Sequence, residues 1–371
     1  MKKKNMFWIF PISILASIFL LTTGCEKKST DNPNNVDTTH TDTSNLIIPA
    51  GWSKVGDLKA NNMIWSVTSD VSGNIYAAGY FTNTAGYFTN TAGYHYVAKW
   101  NGTVWADIGI NANSSIYALT TDVSGNVYAV GEFTNGATPA GGDQYVAKWN
   151  GSSWNDIGQS HSGLLLAADV NGNVYNGPSK WNGSTWTQFA AMYPEVYGTI
   201  QALATTSSGD FQYAGGSFAH ANGYRYVVKW NGSIWTEIGS LNANANIEAL
   251  AVDNQGNVYA AGNFTNGNLP TTGHYYVAKW NGTSWSELGN LNANGDIYYL
   301  AVDNVHGYVY ASGYFRNAAG KAYVAKWDGT SWSDLGDMAL SPTPIHVDAS
   351  GKLYSVVSAT NGKNFCVVVH N

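Results

Sequence analysis

Three observations in this 371-residue sequence predict an all-β fold made of repeated four-stranded sheets. The stretch Tyr96-Val-Ala-Lys-Trp-Asn-Gly-Thr-Val-Trp-Ala-Asp-Ile-Gly109 recurs in close copies, with its first Trp at 100, 149, 181, 230, 280 and 327 and its second at 105, 154, 186, 235, 285 and 332. Such spacing marks a repeat architecture. Each unit also divides into four short runs rich in β-branched and aromatic residues and punctuated by Gly and Asn, which is strand chemistry. Finally, the chain ends are complementary. Trp52 is an unpaired member of the second Trp series, and Cys366-Val-Val-Val-His370 stands where the first series would have another copy. A four-stranded sheet with two apolar faces can bury them only against neighbouring copies of itself. The prediction is therefore a seven-bladed β-propeller of four-stranded antiparallel blades, closed by pairing of an N-terminal strand d with the C-terminal blade.

Taken in order, residues 1–24 read as a targeting signal. Lys2, Lys3 and Lys4 precede an apolar run from Phe7 to Leu21 that is short for a membrane span. It ends in Leu21-Thr22-Thr23-Gly24-Cys25, which resembles a bacterial lipoprotein cleavage box. That resemblance implies cleavage before Cys25, acylation of Cys25, and a lipid-bilayer anchor in the outer membrane of a Gram-negative bacterium, on the cell-surface or periplasmic side. Residues 25–45 are rich in Thr, Asp and Asn, bury almost nothing, and read as a disordered tether. Residues 46–371 are the propeller.

Within a unit, Ile247-Glu-Ala-Leu-Ala-Val is strand a, Asn257-Val-Tyr-Ala-Ala-Gly-Asn-Phe strand b, Tyr275-Tyr-Val-Ala-Lys-Trp strand c, and Ser284-Trp-Ser-Glu-Leu strand d. Asn101-Gly102 predicts a two-residue type I′ turn between c and d. That register sets Trp100 opposite Thr103 and Ala98 opposite Trp105, placing the Trp residues on one face for packing between blades. Lys99 and its counterparts then either pair with the strand-d acids such as Asp107 or stack on the next blade's Trp. The Asp-x-x-Gly-Asn turns between a and b, as at Asp169, read as Asp accepting backbone N–H groups, with a single carboxylate where tight calcium sites collect several. Two units depart from the pattern. The segment at 79–85 is repeated identically at 86–92, and the third unit runs from Val174 to Trp181 with no room for a b–c loop.

Tyr259-Ala-Ala-Gly262, Tyr276 and Trp285-Ser-Glu-Leu288 resemble the kelch and galactose-oxidase type of propeller repeat. The resemblance covers about residues 50–371 and implies the fold. Its members include oxidases and interaction modules, and the copper site of galactose oxidase does not map onto residues of this chain, so no cofactor and no metal are expected.

A net charge of −6 with 11% charged residues gives no basic footprint for nucleic acid. No nucleophile elbow, phosphate loop or zinc spacing is present, so no catalytic residue is nominated. The a–b and c–d turns are short and uniform, whereas the b–c loops vary, and variable loops on a rigid scaffold carry function. The candidate ligand residues are therefore Asn83, Asn90, His95, Thr134, Asn135, His220, Tyr224, Asn266, His274, Arg316 and Asn317, with the Asn-Ala-Asn stretches at 111–113, 242–244 and 292–294 on the same face. The function expected is that of a monomeric binding or scaffold module for a protein or glycan ligand. The alternatives are a glycan-degrading enzyme with an axial pocket and a purely structural envelope protein. The enzyme reading needs two convergent carboxylates from Glu132, Asp143, Glu195, Glu248 and Asp296.

Overall fold

A computed structural model describes residues 46–58, 60–82, 93–135, 144–160, 165–189, 198–206, 212–266, 273–339, 342–359 and 364–371. Seven four-stranded antiparallel sheets are formed, each in the order a-b-c-d. Six are continuous in sequence and run from Ile64 to Asp107, Ile116 to Gln159, Ala167 to Gln188, Ile200 to Glu237, Ile247 to Glu287 and Ile297 to Met338. The seventh takes His346–Val347, Leu353–Ser358 and Phe365–His370 from the C-terminus and Trp52–Lys54 from the N-terminus. Trp52 pairs with His370 and Lys54 with Val368, so the ring closes as the complementary ends predict and that blade gains the same outer fourth strand as the others. The targeting segment, the tether, Cys25, the duplicated copy at 86–92 and the candidates Asn83 and Asn90 lie outside the described residues. No helix among the described residues is long and apolar enough to cross a membrane.

Six of the seven buried clusters draw on two consecutive blades, and the seventh, around Phe218 and Trp235 of blade 4, is joined by Phe189 from the end of blade 3. Tyr76, Ala78 and Val97 of blade 1 pack with Ile116, Leu119 and Phe133 of blade 2, and Tyr259 and Val277 of blade 5 pack with Ile297 and Val309 of blade 6. No blade has a private core, which is why the repeat is stable only as a ring. Strand b is buried along its whole length in blades 1, 2, 4 and 5, explaining its run of Tyr, Val, Ala and Gly.

The second Trp series ties blade to blade. Trp105 Nε1–H donates to the Val55 carbonyl at 2.6 Å, Trp154 to Ile108 at 2.9 Å, Trp186 to Ile157 at 2.7 Å, Trp285 to Ile238 at 2.6 Å, Trp332 to Leu288 at 2.6 Å, and Trp52 to Leu335 at 2.6 Å. The first series presses on the same seam. A Cβ on Gly239 would stand 2.3 Å from Trp280 of the next blade, so only glycine allows the ring to approach. Trp235 is the exception, because its buried Nε1 has no partner. Its neighbour is blade 3, shortened as the sequence predicts: strand a is only Ala167–Ala168, and strands Val174–Asn176 and Ser179–Trp181 are joined by two residues. Phe189 fills the seam instead, with its ring 5.3 Å from that of Trp235.

Two expectations are corrected. The c–d connection is not a two-residue Asn-Gly turn. Trp100 pairs directly with Trp105 and Lys99 with Ala106, and Asn101 Oδ1 accepts the N–H groups of Thr103 and Val104, both at 3.0 Å. The side-chain cap draws Asn101 and Val104 into the turn with Gly102 and Thr103 and shifts the register by two. An even shift preserves the face, so the Trp residues still lie together. Lys99 neither pairs with a strand-d acid nor reaches the next blade. It pairs across to Tyr76 of strand b and sits 5.6 Å from the centre of that ring. Its neighbour in register, not the next blade, is the aromatic surface within reach.

Trp285→Phe and Trp235→Phe remove similar apolar area, but only the first breaks an inter-blade hydrogen bond. Urea unfolding is expected to show Trp285→Phe as the more destabilising by about 1 kcal/mol; equal losses would mean the indole bond contributes nothing.

Candidate functional site

The a strands of consecutive blades touch one another all the way round, including blade 7 to blade 1, and so line the axis. In five blades the a–b register slips near the start of strand a, between Ile64 and Ser66, Ile116 and Ala118, Ile200 and Ala202, Ile247 and Ala249, and Ile297 and Tyr299. Each slip is a β-bulge that re-aims one side chain. The residues concerned are Trp65, Tyr117, Gln201, Glu248 and Tyr298. The glycine that ends strand b makes room for this. A Cβ on Gly262 would fall 2.1 Å from the Asn246 carbonyl. The residue after that glycine then stands beside the bulge, and the N–H groups of Tyr80, Glu132, Ser217, Asn263 and Tyr314 donate to the carbonyl just before strand a. The result is a double ring of side chains at the loop-bearing mouth of the axis.

One side of this mouth is aromatic. The rings of Trp65 and Tyr117 stack at 4.6 Å and 16°, and Tyr80 lies 5.9 Å from Trp65 and 5.6 Å from His95. Tyr117 also bonds Glu132, and burial beside that carboxylate pushes the phenol well above its ordinary value. By ring order blade 5 lies across the axis, and there the lining turns acidic. Asp296 is held by Tyr275 and Asn263, and burial raises its pKa. Burial likewise raises Glu248, with the nearby Asp296 charge adding to the effect and a bond from Asn246 opposing it. Tyr298 and Tyr314 meet edge to face at 5.3 Å, and Tyr314 is 49% exposed. Buried atoms here lack partners: Gln201 Oε1, Asn263 Oδ1 and His95 Nδ1. Of the five acids singled out by the sequence, Glu248 and Asp296 come within electrostatic reach of each other, while Asp143 and Glu195 lie outside the described residues.

Most of the loop candidates do other work. Asn135 bonds Asp156 at 3.0 Å, His220 meets Glu237 at 3.1 Å, Asn266 and His274 both hold Glu287 at 2.8 and 3.0 Å, and Asn317 bonds Asp334 at 2.9 Å and Asp337 at 2.8 Å. The strand-d acids therefore pin the b–c loops of their own blades. Thr134 is buried and clasped by Asn113, and the Arg316 N–H donates to Asn294 at 2.8 Å, so the Asn-Ala-Asn stretches fasten a loop of the following blade. Tyr224 is 42% exposed, and His95 reaches the mouth beside Tyr80. The residues missed by sequence reading, Trp65, Tyr80, Tyr117, Gln201, Asn263, Tyr298 and Tyr314, carry one signal. They are the non-aliphatic residues next to the Ile that begins strand a and the Gly that ends strand b.

The opposite end is closed by short-range bonds. Asp70 accepts from the N–H groups of Ser72 and Asn74, from Asn74 Nδ2 and from the Tyr76 hydroxyl, and Asp122, Asp169 and Asp253 repeat the set. These bonds occupy the lone pairs a cation would need. Two recesses of about 450 and 330 Å³ lie between blades on the outer rim, against Trp154 and Trp332, and belong to the seams rather than the axis.

Because the Asp296 charge adds to the rise that burial imposes on Glu248, Asp296→Asn is expected to lower the Glu248 pKa part of the way, read by carboxyl-carbon NMR titration. An unchanged titration would show the two groups to be independent.

No family model matches the sequence, and no curated protein matches it. Among solved structures the chain is similar to a catalytically inactive virginiamycin B lyase from Staphylococcus aureus with quinupristin. That likeness has a TM-score of 0.57 at 9% identity and covers 86% of this chain and 98% of that one. It is also similar to YCF48 bound to D1 peptide, with a TM-score of 0.52 at 13% identity, covering 87% and 97%. Likeness at this identity concerns the backbone alone: the chain is an all-β propeller of seven four-stranded blades in a ring.

Proposed function

We propose that the chain is a non-catalytic binding or scaffold module, anchored through acylated Cys25 to the outer membrane of a Gram-negative bacterium, that takes a protein or glycan ligand at its loop-bearing end. Under this reading residues 1–24 are removed and 25–45 form the tether. The observation that carries it is the difference between the two ends. The turn end spends its polar groups on itself, while the loop end gathers bulge-aimed aromatic, amide and carboxylate side chains with unpartnered buried atoms. Propellers of this backbone include a lyase and a peptide-bound protein, so the class of function rests on the site and not on the fold. A second reading, glycan cleavage, draws on Glu248 and Asp296, since a raised carboxyl suits a general acid.

Immobilising the protein through Val123→Cys, on an a–b turn, leaves the loop end free, whereas Tyr224→Cys hides it. Binding on glycan and peptide arrays is expected in the first orientation and lost in the second; equal binding both ways would refute the loop-end assignment. The anchor is tested separately. Cells fed an alkyne fatty acid are expected to label the native chain and not Cys25→Ala.

A further inference from the structure

Charge is segregated between the two ends of the propeller. On the turn end, six strand-c lysines and Lys352 face six a–b turn aspartates and Asp328, an even balance among the described residues. On the loop-bearing half, ten carboxylates stand against four lysines or arginines. Of those four, Lys54 is paired to Asp57, the Arg225 guanidinium donates to the carbonyls of Gly223 in its own loop and of Asn244 in the d–a connection, and that of Arg316 donates to the Gly320 carbonyl. Seven of the ten carboxylates stand on or just after the outermost strand d, whereas Glu132, Glu248 and Asp296 stand at the mouth, where the bulge and post-glycine positions of the described residues carry no lysine or arginine and low-dielectric walls focus the field. Asp296 accepts from Tyr275 and Asn263 and Glu248 from Asn246, which orients both carboxylates without neutralising them. The surrounding rings, Trp65, Tyr117, Tyr298 and Tyr314, offer electron-rich faces.

We infer that the ligand of the axial mouth is a peptide segment presenting a lysine or arginine side chain, received between the Glu248–Asp296 pair and the tyrosine rings. This deepens the binding-module reading and rests on it. Aromatic faces attract a cation through the ring quadrupole, and oriented carboxylates take its N–H groups in charge-assisted bonds. A neutral glycan would find rings and amides here as well, but it would gain nothing from the field. A cation brought beside Glu248 and Asp296 favours their charged forms, as the hydrogen bonds from Asn246, Tyr275 and Asn263 already do, against the burial that disfavours them. The carboxylate excess of the loop-bearing half draws such a segment to that end and Glu132, Glu248 and Asp296 draw it to the mouth, an attraction that salt weakens.

The test is a set of random nonapeptide pools with the central residue fixed as Arg, Lys, citrulline or acetyl-lysine, read with the mature full chain alongside a neutral-glycan array. Binding to the Arg and Lys pools is expected to exceed the uncharged pools by about tenfold and to weaken as salt is raised. Glu248→Gln with Asp296→Asn is expected to erase that preference while retaining the thermal midpoint. Equal binding to all four pools overturns the inference, and because that comparison uses the unaltered protein it decides the matter even if the double variant unfolds. Binding only to neutral glycans at the loop end overturns the ligand class and leaves the module reading standing. No binding to any probe defeats both.

Discussion

In six of the seven blades the indole N–H of the outer-strand tryptophan reaches back to a carbonyl of the preceding blade, and the rest of the molecule depends on that bond. A propeller blade has no core of its own, so its register against the next blade must be set by something directional; apolar burial alone would let the sheets slide. The bond from Trp52 to Leu335 does the same at the closing seam, so a residue near the start of the chain completes a ring of strands drawn from everywhere else. Beside the shortened blade 3 that bond is not made: Phe189 stands where the other blades carry the acceptor Val, Ile or Leu, and its ring packs against Trp235 instead. Shape replaces a hydrogen bond at one seam, and Trp235 is left with a buried donor.

With the blades fixed, the two ends of the ring are free to diverge. In four blades the turn end repeats one solution: an Asp takes two backbone N–H groups, an Asn amide and a Tyr hydroxyl, and a Lys lies over the ring of that Tyr. All of this is local bonding, complete within each blade. The loop end is built the other way. Bulges in strand a turn side chains from the blade interior toward the axis, and each blade contributes a different residue at equivalent positions. A shared backbone device thus presents a varied set of groups, which is how a repeat fold acquires an individual site.

The loop residues that attract notice in the sequence, His220, Asn266, His274 and Asn317, turn out to hold strand-d carboxylates and so keep the b–c loops against their own sheets. Histidine and asparagine in variable loops look like ligand groups because nothing nearby in sequence explains them. Their partners are 13 to 21 residues away on the outermost strand. A still longer separation hides the electrostatic reach of Asp296 to Glu248, which come from adjacent blades. Glu248 and Asp296 could be singled out as acids without an assigned role, but their meeting could not be read from spacing.

Repetition made the architecture legible. Blade count, strand order, the stunted third blade and the closing of the ring all follow from where Trp, Gly and Asn recur, because each is demanded by a backbone conformation or a packing gap that every blade shares. The tertiary structure alone decided what the non-repeating positions do. A one-residue bulge reverses which way a side chain points, and an Asx cap moves a turn by two residues; both depend on hydrogen bonds whose partners lie on neighbouring strands. The face of Trp100 was therefore settled by sequence periodicity, while the turn of Trp65 and Glu248 toward the axis was settled only when strand a met strand b.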